Sequence, residues 1–284
     1  MLLIADSGST KTDWRLIDDH NKIHSFQTIG FSPYFQTTEI IAEEIKKNLL
    51  PKLNLHLPSS TFHLFYYGTG CSSPEKISIV KEALQNCFPK ATIVVEHDML
   101  GAARALCGKE QGIAAILGTG SNSCYFDGKE IKASAVSLGF ILGDEGSGAH
   151  IGKTFIQAYL NKELSGAIAD KFFSEYKIGI DEILDAVYKQ PMPNRYLASF
   201  TKFIKQNIHE PELKNLVLEC FKSFFDKQIC KFSDYKSIHL HCVGSVAKHF
   251  SDILKEAAKE KGVIVGKIIS APIDGLVEYH SIAV

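Results

Sequence analysis

The sequence predicts an α/β protein of two similar domains facing across a cleft. Two observations carry this reading. Strand-like and helix-like segments alternate along most of the 284 residues. A small-residue turn between two strands occurs near the start, at Asp6–Thr10, and recurs at Gly118–Asn122.

The elements follow in order. Leu2–Ala5 is a buried apolar strand. Thr12, Trp14 and Leu16 alternate with Asp13, Arg15 and Ile17, the period of a second strand. The turn "DDHNK" (18–22) leads to a third strand, 23–29. Ile41, Ile45 and Leu49 recur at a spacing of four, which predicts an amphipathic helix over 37–50. "TFHLFYYG" (61–68) is a strand. Residues 73–88 form a helix with Ser73 as N-cap and Pro74 in the first turn. "ATIVVEH" (91–97) is a strand, and "DMLGAARALCG" (98–108) a short helix ending at glycine. The pattern then restarts: strand, turn and strand over 112–126, a turn at Asp127–Gly128, a strand at 131–137 and a glycine-rich loop at 137–152. Helical periodicity dominates from about 150 to 230. "SIHLHCVGSVAKHF" (237–250) is strand, glycine turn and helix; 262–272 is a strand region, and a last helix begins near 275. The expected domains are 1–110 and 111–284, the second with a helical insertion at about 150–230 and the last helix free to pack back on the first domain.

Composition narrows the function. Hydrophobic residues make up 45% and charged residues 22%, the balance of a globular chain. A net charge of -1 offers no electrostatic drive toward nucleic acid or anionic membrane. No apolar run is long enough to span a bilayer, and Leu2–Ile4 lacks the basic flank of a signal peptide. Seven cysteines (71, 87, 107, 124, 220, 230 and 242) form no C-x-x-C, so they read as reduced thiols of a cytoplasmic protein. A homodimer is compatible with this composition.

Four glycine turns carry the chemistry. "ADSGSTKT" (5–12) has the residue types of a phosphate loop, but Thr10, not glycine, directly precedes Lys11, and strand period follows it. It is therefore a hairpin and not a Walker loop feeding a helix. Gly8 lets the backbone expose N–H groups to an anion; Ser9, Thr10 and Thr12 add hydroxyls and Lys11 a charge. Asp6, at the strand end, suits Mg²⁺ held through water. The same residues would also serve an ordinary hairpin. "LGTGSNS" (117–123) is the second such cradle. "LGDEGSG" (142–148) places Asp144 and Glu145 ahead of a helix, or supplies a capping Asp or Ser. "CVGSVAKH" (242–249) is a strand-to-helix turn of the kind that packs on a nucleotide base, or a plain connection.

On these motifs the chain resembles the actin, hexokinase and Hsp70-like ATPase superfamily. Within it, it is similar to the family that groups N-acetylglucosamine kinases with BadF/BcrA-type ATPases. The first phosphate motif matches at Asp6–Thr12, the second at Gly118–Ser123 and the adenosine motif at Val243–Lys248; "GTGSN" and "LGDEGS" are the most specific. The resemblance implies two ribonuclease H-like domains, a duplicated βββαβαβα unit, on either side of a nucleotide-binding cleft. It implies ATP and Mg²⁺ as cofactors, with Ser9, Thr10, Lys11 and Thr119 on the phosphates, Gly244, Ser245 and Lys248 beside the adenosine, and Mg²⁺ near Asp6. Asp98 matches the catalytic base, although its place after a strand also suits a helix N-cap. Ser121, Asn122, Ser137, Leu138, Gly139 and Asp144 match residues on the N-acetyl hexose, whose 6-hydroxyl would be phosphorylated. Two departures leave the sugar open among N-acetylglucosamine, N-acetylmuramic acid and glucosamine. Leu138 stands where animal enzymes carry tryptophan, and Ser32 or Tyr34 stands where the kinases place an asparagine. Two other readings are an ATPase that activates a partner enzyme and a non-catalytic nucleotide-dependent binding protein. The first needs clustered cysteine ligands in a glycine-flanked pattern that is absent here, as is the cysteine-rich zinc motif of repressor-related sugar kinases.

Overall fold

The computed structural model of the chain describes residues 1–8, 10–53 and 61–281. The chain divides into two compact units, one made of Met1–Lys109 with Pro272–Val284, the other of Glu110–Ala271.

In the first unit, β1 (Leu2–Ser7), β2 (Lys11–Ile17), β3 (Ile23–Ile29), β4 (Phe62–Gly68) and β5 (Ala91–His97) form a sheet of order β3-β2-β1-β4-β5. The first three strands are antiparallel, as short hairpins allow. β4 and β5 join in parallel through helical crossovers. β1 explains why the opening run is apolar at successive positions. Leu3 and Ala5 pack into one core with Trp14, Ile41 and Leu64, whereas Leu2 and Ile4 pack on the other face with Ala105, Ile273 and Leu276. The second face is covered by the helices Asp98–Cys107 and Ile273–Ser281.

The second unit repeats the plan. β6 (Gly112–Leu117), β7 (Ser121–Phe126), β8 (Ile131–Ser134), β9 (Leu240–Val243) and β10 (Val265–Ile269) form a sheet of order β10-β9-β6-β7-β8. Read from β8, this is the order of the first sheet, with the same strand senses. The α/β class and the duplication, expected from two short turns, thus extend to whole-sheet topology. Between β8 and β9 lie the helices from Gly148–Leu160 to Pro211–Lys227. Their inner faces meet around Phe155, Phe172, Phe203 and Phe221, all fully buried.

Three elements differ from the sequence expectation. The helix expected over 37–50 is helical from Thr38, passes through a π-helical turn at Ile45–Leu49 and continues to Leu53. Pro51 has no N–H to give to the preceding turn, which accounts for the irregular ladder beside it. The strand expected over 131–137 ends at Ser134, although Ala135 N–H still reaches Ser123 O at 2.9 Å. Beyond that point the donors of β7 are already used: Ser123 N–H goes to Asn122 Oδ1 and Ser121 N–H to Asp144 Oδ1. The glycine-rich loop contains a short helix, Gly139–Leu142. Ser73 caps its helix as expected, accepting Lys76 N–H at 3.3 Å.

Candidate functional site

The first turn joins β1 to β2. Gly8 N–H donates to Lys11 O at 3.0 Å, closing the hairpin, and Thr10 and Lys11 are exposed at its tip. Ser9 lies outside the described residues. Beneath the tip the hydroxyls form a directed chain. Thr12 Oγ1 donates to Ile29 O at 2.9 Å, so Ser7 Oγ donates to Thr12 at 2.8 Å and accepts Phe31 N–H at 3.1 Å.

Three carboxylates gather at this end of the first sheet. Asp6 and Asp13 are register partners on β1 and β2. Asp13 is buried, bonded by Lys11 Nζ at 2.8 Å and by Gln27 Nε2 at 2.8 Å. Burial, and after it the charges of Asp13 and Asp98, push the Asp6 carboxyl up to about 7, against the pull of Lys11. Burial also raises Asp98, opposed by His97, by the Met99 N–H and by the Thr69 hydroxyl. Asp98 is not the cap of its helix. His97 is: its Nδ1 accepts Leu100 N–H at 3.2 Å, and Asp98 is the first helical residue, with Oδ1 on Met99 N–H at 2.8 Å. One carboxylate oxygen of Asp98 is thereby held while capping is served by its neighbour.

The second turn, between β6 and β7, is stitched to the loop that carries Asp144. Gly148 N–H donates to Gly118 O at 2.8 Å, and Ala149 N–H to Thr119 O at 3.0 Å. Asp144 has φ of 55°, left-handed for a non-glycine residue, and this aims its carboxylate back at Ser121 N–H, 3.3 Å away. A Cβ on Gly120 would stand 2.9 Å from Asp144 Oδ2, so a side chain there would displace this carboxylate. Burial raises the Asp144 carboxyl, the Ser121 N–H opposing it. Ser121 is itself buried, and its hydroxyl donates to Glu145 O at 2.8 Å. Thr119 and Asn122 are half-buried; Ser137, Leu138 and Gly139 are exposed. Leu138 packs beside Gly143, whose added Cβ would stand 3.0 Å from Leu138 Cβ, one residue from Asp144. Ser147, not Asp144, caps the following helix by accepting His150 N–H at 3.1 Å.

The third turn, after β9, packs directly on the second. Gly244 has φ of +126°, and a Cβ there would lie 2.2 Å from Leu117 O, at the entrance to the Gly118 turn. Ser245 and Lys248 are exposed on the short helix that follows.

Within the first unit, then, Asp6, Thr10, Lys11 and Asp98 belong to one end of the sheet. Within the second, Thr119, Ser121, Asn122, Asp144 and Gly244 belong to one cluster. The sequence alone does not single out Asp13, which directly follows the opening turn motif, nor Thr69, His97 and Gln228, which carry no local signature. The donor set suits a nucleotide with Mg²⁺. Lys11 compensates Asp13, while Asp6 and Asp98 have no cation in direct contact among the described residues and are held by burial above the ordinary carboxylate range. Among the described residues no group of three or more His, Cys, Asp or Glu side chains is arranged to hold a metal alone. Mg²⁺ here would draw its other ligands from phosphate and water, as it usually does. Among the described residues no helix is long and apolar enough to cross a membrane.

No family model matches the chain. A solved structure of a candidate N-acetylglucosamine kinase from Porphyromonas gingivalis is 41% identical, covers 99% of this chain and 98% of its own, and superposes with a TM-score of 0.92. The curated N-acetylmuramic acid/N-acetylglucosamine kinase of Clostridium acetobutylicum is 29% identical over 167 residues, 55% of this chain and 53% of its own length, so the match spans about half of that relative. A ROK family glucokinase of Streptomyces griseus, solved with glucose and AMPPNP, shares the fold: its TM-score is 0.54 at 14% identity, over 99% of this chain and 98% of its own. With the repeated sheet topology and the three turns in place, and with 41% identity along 99% of its length, the chain belongs to the N-acetylglucosamine kinase-like family of that Porphyromonas gingivalis relative.

Proposed function

We propose that this chain is an ATP-dependent sugar kinase that transfers the γ-phosphoryl group to the 6-hydroxyl of N-acetylglucosamine or a related amino sugar, N-acetylmuramic acid included. The observation that carries the reading is the state of Asp98. It is a half-buried carboxylate at the end of β5, relieved of capping by His97 and grouped electrostatically with Asp6 at the first glycine turn.

In this reading Asp98 accepts the proton of the attacking hydroxyl and orients it. The Met99 N–H on Oδ1 holds the carboxylate in one rotamer. Thr10 and Lys11, with Ser9, bind phosphate oxygens at the first turn, and Thr119 binds phosphate at the second. Lys11 must then leave Asp13 or share itself between Asp13 and phosphate. Mg²⁺ near Asp6 would neutralise charge on the transferring group. Gly244, Ser245 and Lys248 border the adenosine. Asn122, Asp144 and the Ser137–Gly139 backbone contact the sugar. Ser121, with its hydroxyl committed to Glu145 O, supports that surface from behind. The relatives named as N-acetylglucosamine kinases support the choice of sugar, and the bound AMPPNP of the glucokinase supports ATP as donor.

The test is direct measurement of phosphosugar formed from ATP and Mg²⁺ across a panel of hexoses and N-acetylhexosamines. Strongest turnover on N-acetylglucosamine or N-acetylmuramic acid is expected. Nucleotide hydrolysis without transfer to any sugar overturns the proposal.

A further inference from the structure

Gln228 ends the long helix Pro211–Lys227, far in sequence from any glycine turn, and is buried. Its Nε2 donates to Ser121 Oγ at 2.9 Å, and its Oε1 accepts from Ser123 Oγ at 3.2 Å. The direction of this chain follows from chemistry. The Glu145 carbonyl can only accept, so the single hydroxyl hydrogen of Ser121 is committed to it. Ser121 must therefore receive a hydrogen bond from Gln228, which turns the amide oxygen toward Ser123. The same strand end is bonded to the Asp144 loop through Ser121 N–H, and that loop to the Gly118 turn through Gly148 and Ala149. Every partner in this network is committed, so one lost donor leaves a buried acceptor unpaired.

We propose that Gln228 is a positioning residue that locks the Gly118–Asn122 turn to the Asp144–Glu145 segment, and so sets how well that turn holds the phosphoryl donor. The consequence for activity rests on the kinase reading above; the locking itself does not. An amide is required because the position must donate on one side and accept on the other. A carboxylate of the same shape accepts on both sides, unless it is protonated.

The test uses Gln228→Glu and Gln228→Leu in the full chain. At pH 8, Gln228→Glu should lower kcat/KM for ATP about tenfold, through loss of geometry at the turn. Burial raises a carboxyl's pKa, so by pH 6 the variant regains an O–H donor and its defect relative to wild type should shrink to about threefold or less. Asp144, Glu145, His150 and Lys153 lie around this loop and are common to both proteins, so the ratio at each pH is the readout. Gln228→Leu should show a loss independent of pH. Hydrogen exchange should accelerate in peptides covering 118–123 and 144–149 of Gln228→Leu, with 62–68 unchanged. Should the leucine variant not fold, Gln228→Glu compared across the same pH range supplies the exchange measurement. Unchanged exchange in both segments, or a Gln228→Glu defect that does not respond to pH, overturns the proposal. If the wild type phosphorylates no sugar, the kinase reading falls, and hydrogen exchange alone decides the role of Gln228.

Discussion

Asp6 and Asp13 stand opposite each other on the antiparallel pair β1 and β2, and the Lys11 ammonium neutralises only Asp13 by direct contact. The arrangement leaves Asp6 as a carboxylate whose charge the ligand-free fold disfavours. A folded-state pKa raised to about 7 means that the native chain binds a proton that the unfolded chain has released. Its stabilising contribution is therefore complete below the ordinary carboxylate range and disappears as pH rises through about 7.

Asp6→Asn should accordingly stabilise the ligand-free protein at pH 8, by about 2 kcal/mol, and leave its stability near pH 4 almost unchanged. The same substitution should cut sugar phosphorylation by roughly a hundredfold or more, as loss of a charged group acting on the transferred phosphoryl does. Thermal melts at the two pH values, beside a turnover assay, check both parts. A variant less stable than wild type at pH 8 contradicts the electrostatic account.

Separate substitutions at positions 97 and 98 should have separable effects. Asp98→Asn should bind ATP normally and lose roughly a hundredfold or more in kcat. His97→Ala removes the side-chain cap and should cost about 1 kcal/mol of stability. Nucleotide titration, steady-state kinetics and urea unfolding distinguish them. Near-normal turnover by Asp98→Asn would remove its role as base.

Gly244→Ala forces a Cβ against the Leu117 carbonyl at a φ of +126°. The strained backbone and the displaced β6 end should destabilise the protein by about 2–4 kcal/mol. Adenine nucleotide affinity should fall with it. Differential scanning calorimetry and a nucleotide-binding isotherm measure the pair. A variant with unaltered melting would show that the turn relaxes without cost.

His280 supplies a pH dependence of opposite sign to that of Asp6. Its Nε2 lies 2.9 Å from the Tyr67 hydroxyl, which also accepts from Arg104 Nη1 at 2.8 Å, so the Tyr67 hydrogen points to His280 and the imidazole is neutral. Burial, followed by the Arg104 charge, lowers its pKa to about 4. For a group whose folded pKa is depressed, the stabilisation is full above the unfolded value and is lost as pH falls toward the folded one. Wild type should therefore lose roughly 1–2 kcal/mol between pH 6.5 and pH 4 that His280→Gln does not lose. Urea unfolding across that range checks it; parallel profiles would place the acid sensitivity elsewhere.

Much of this protein was legible in its sequence because the signals are local. Apolar runs, period-two alternation and paired glycine turns determined the α/β class and the duplication. "GSTKT", "GTGSN" and "LGDEGS" pointed to the family from the residues alone. What the sequence could not order was anything that depends on which segments meet. Asp98 reads as a helix cap until His97, one residue earlier, is seen to take that hydrogen bond. Ser121 matches a sugar contact by motif, but the bond of its hydroxyl to Glu145 O has no sequence signature. Asp13 is an ordinary alternating strand residue until strand register sets it opposite Asp6. Gln228, 107 positions from Ser121, has no local signature at all. The physical reason is the same in each case. Periodicity and turn chemistry act over a few residues, but pKa shifts and buried hydrogen bonds depend on burial and on donors and acceptors that only the tertiary fold brings within about 3 Å.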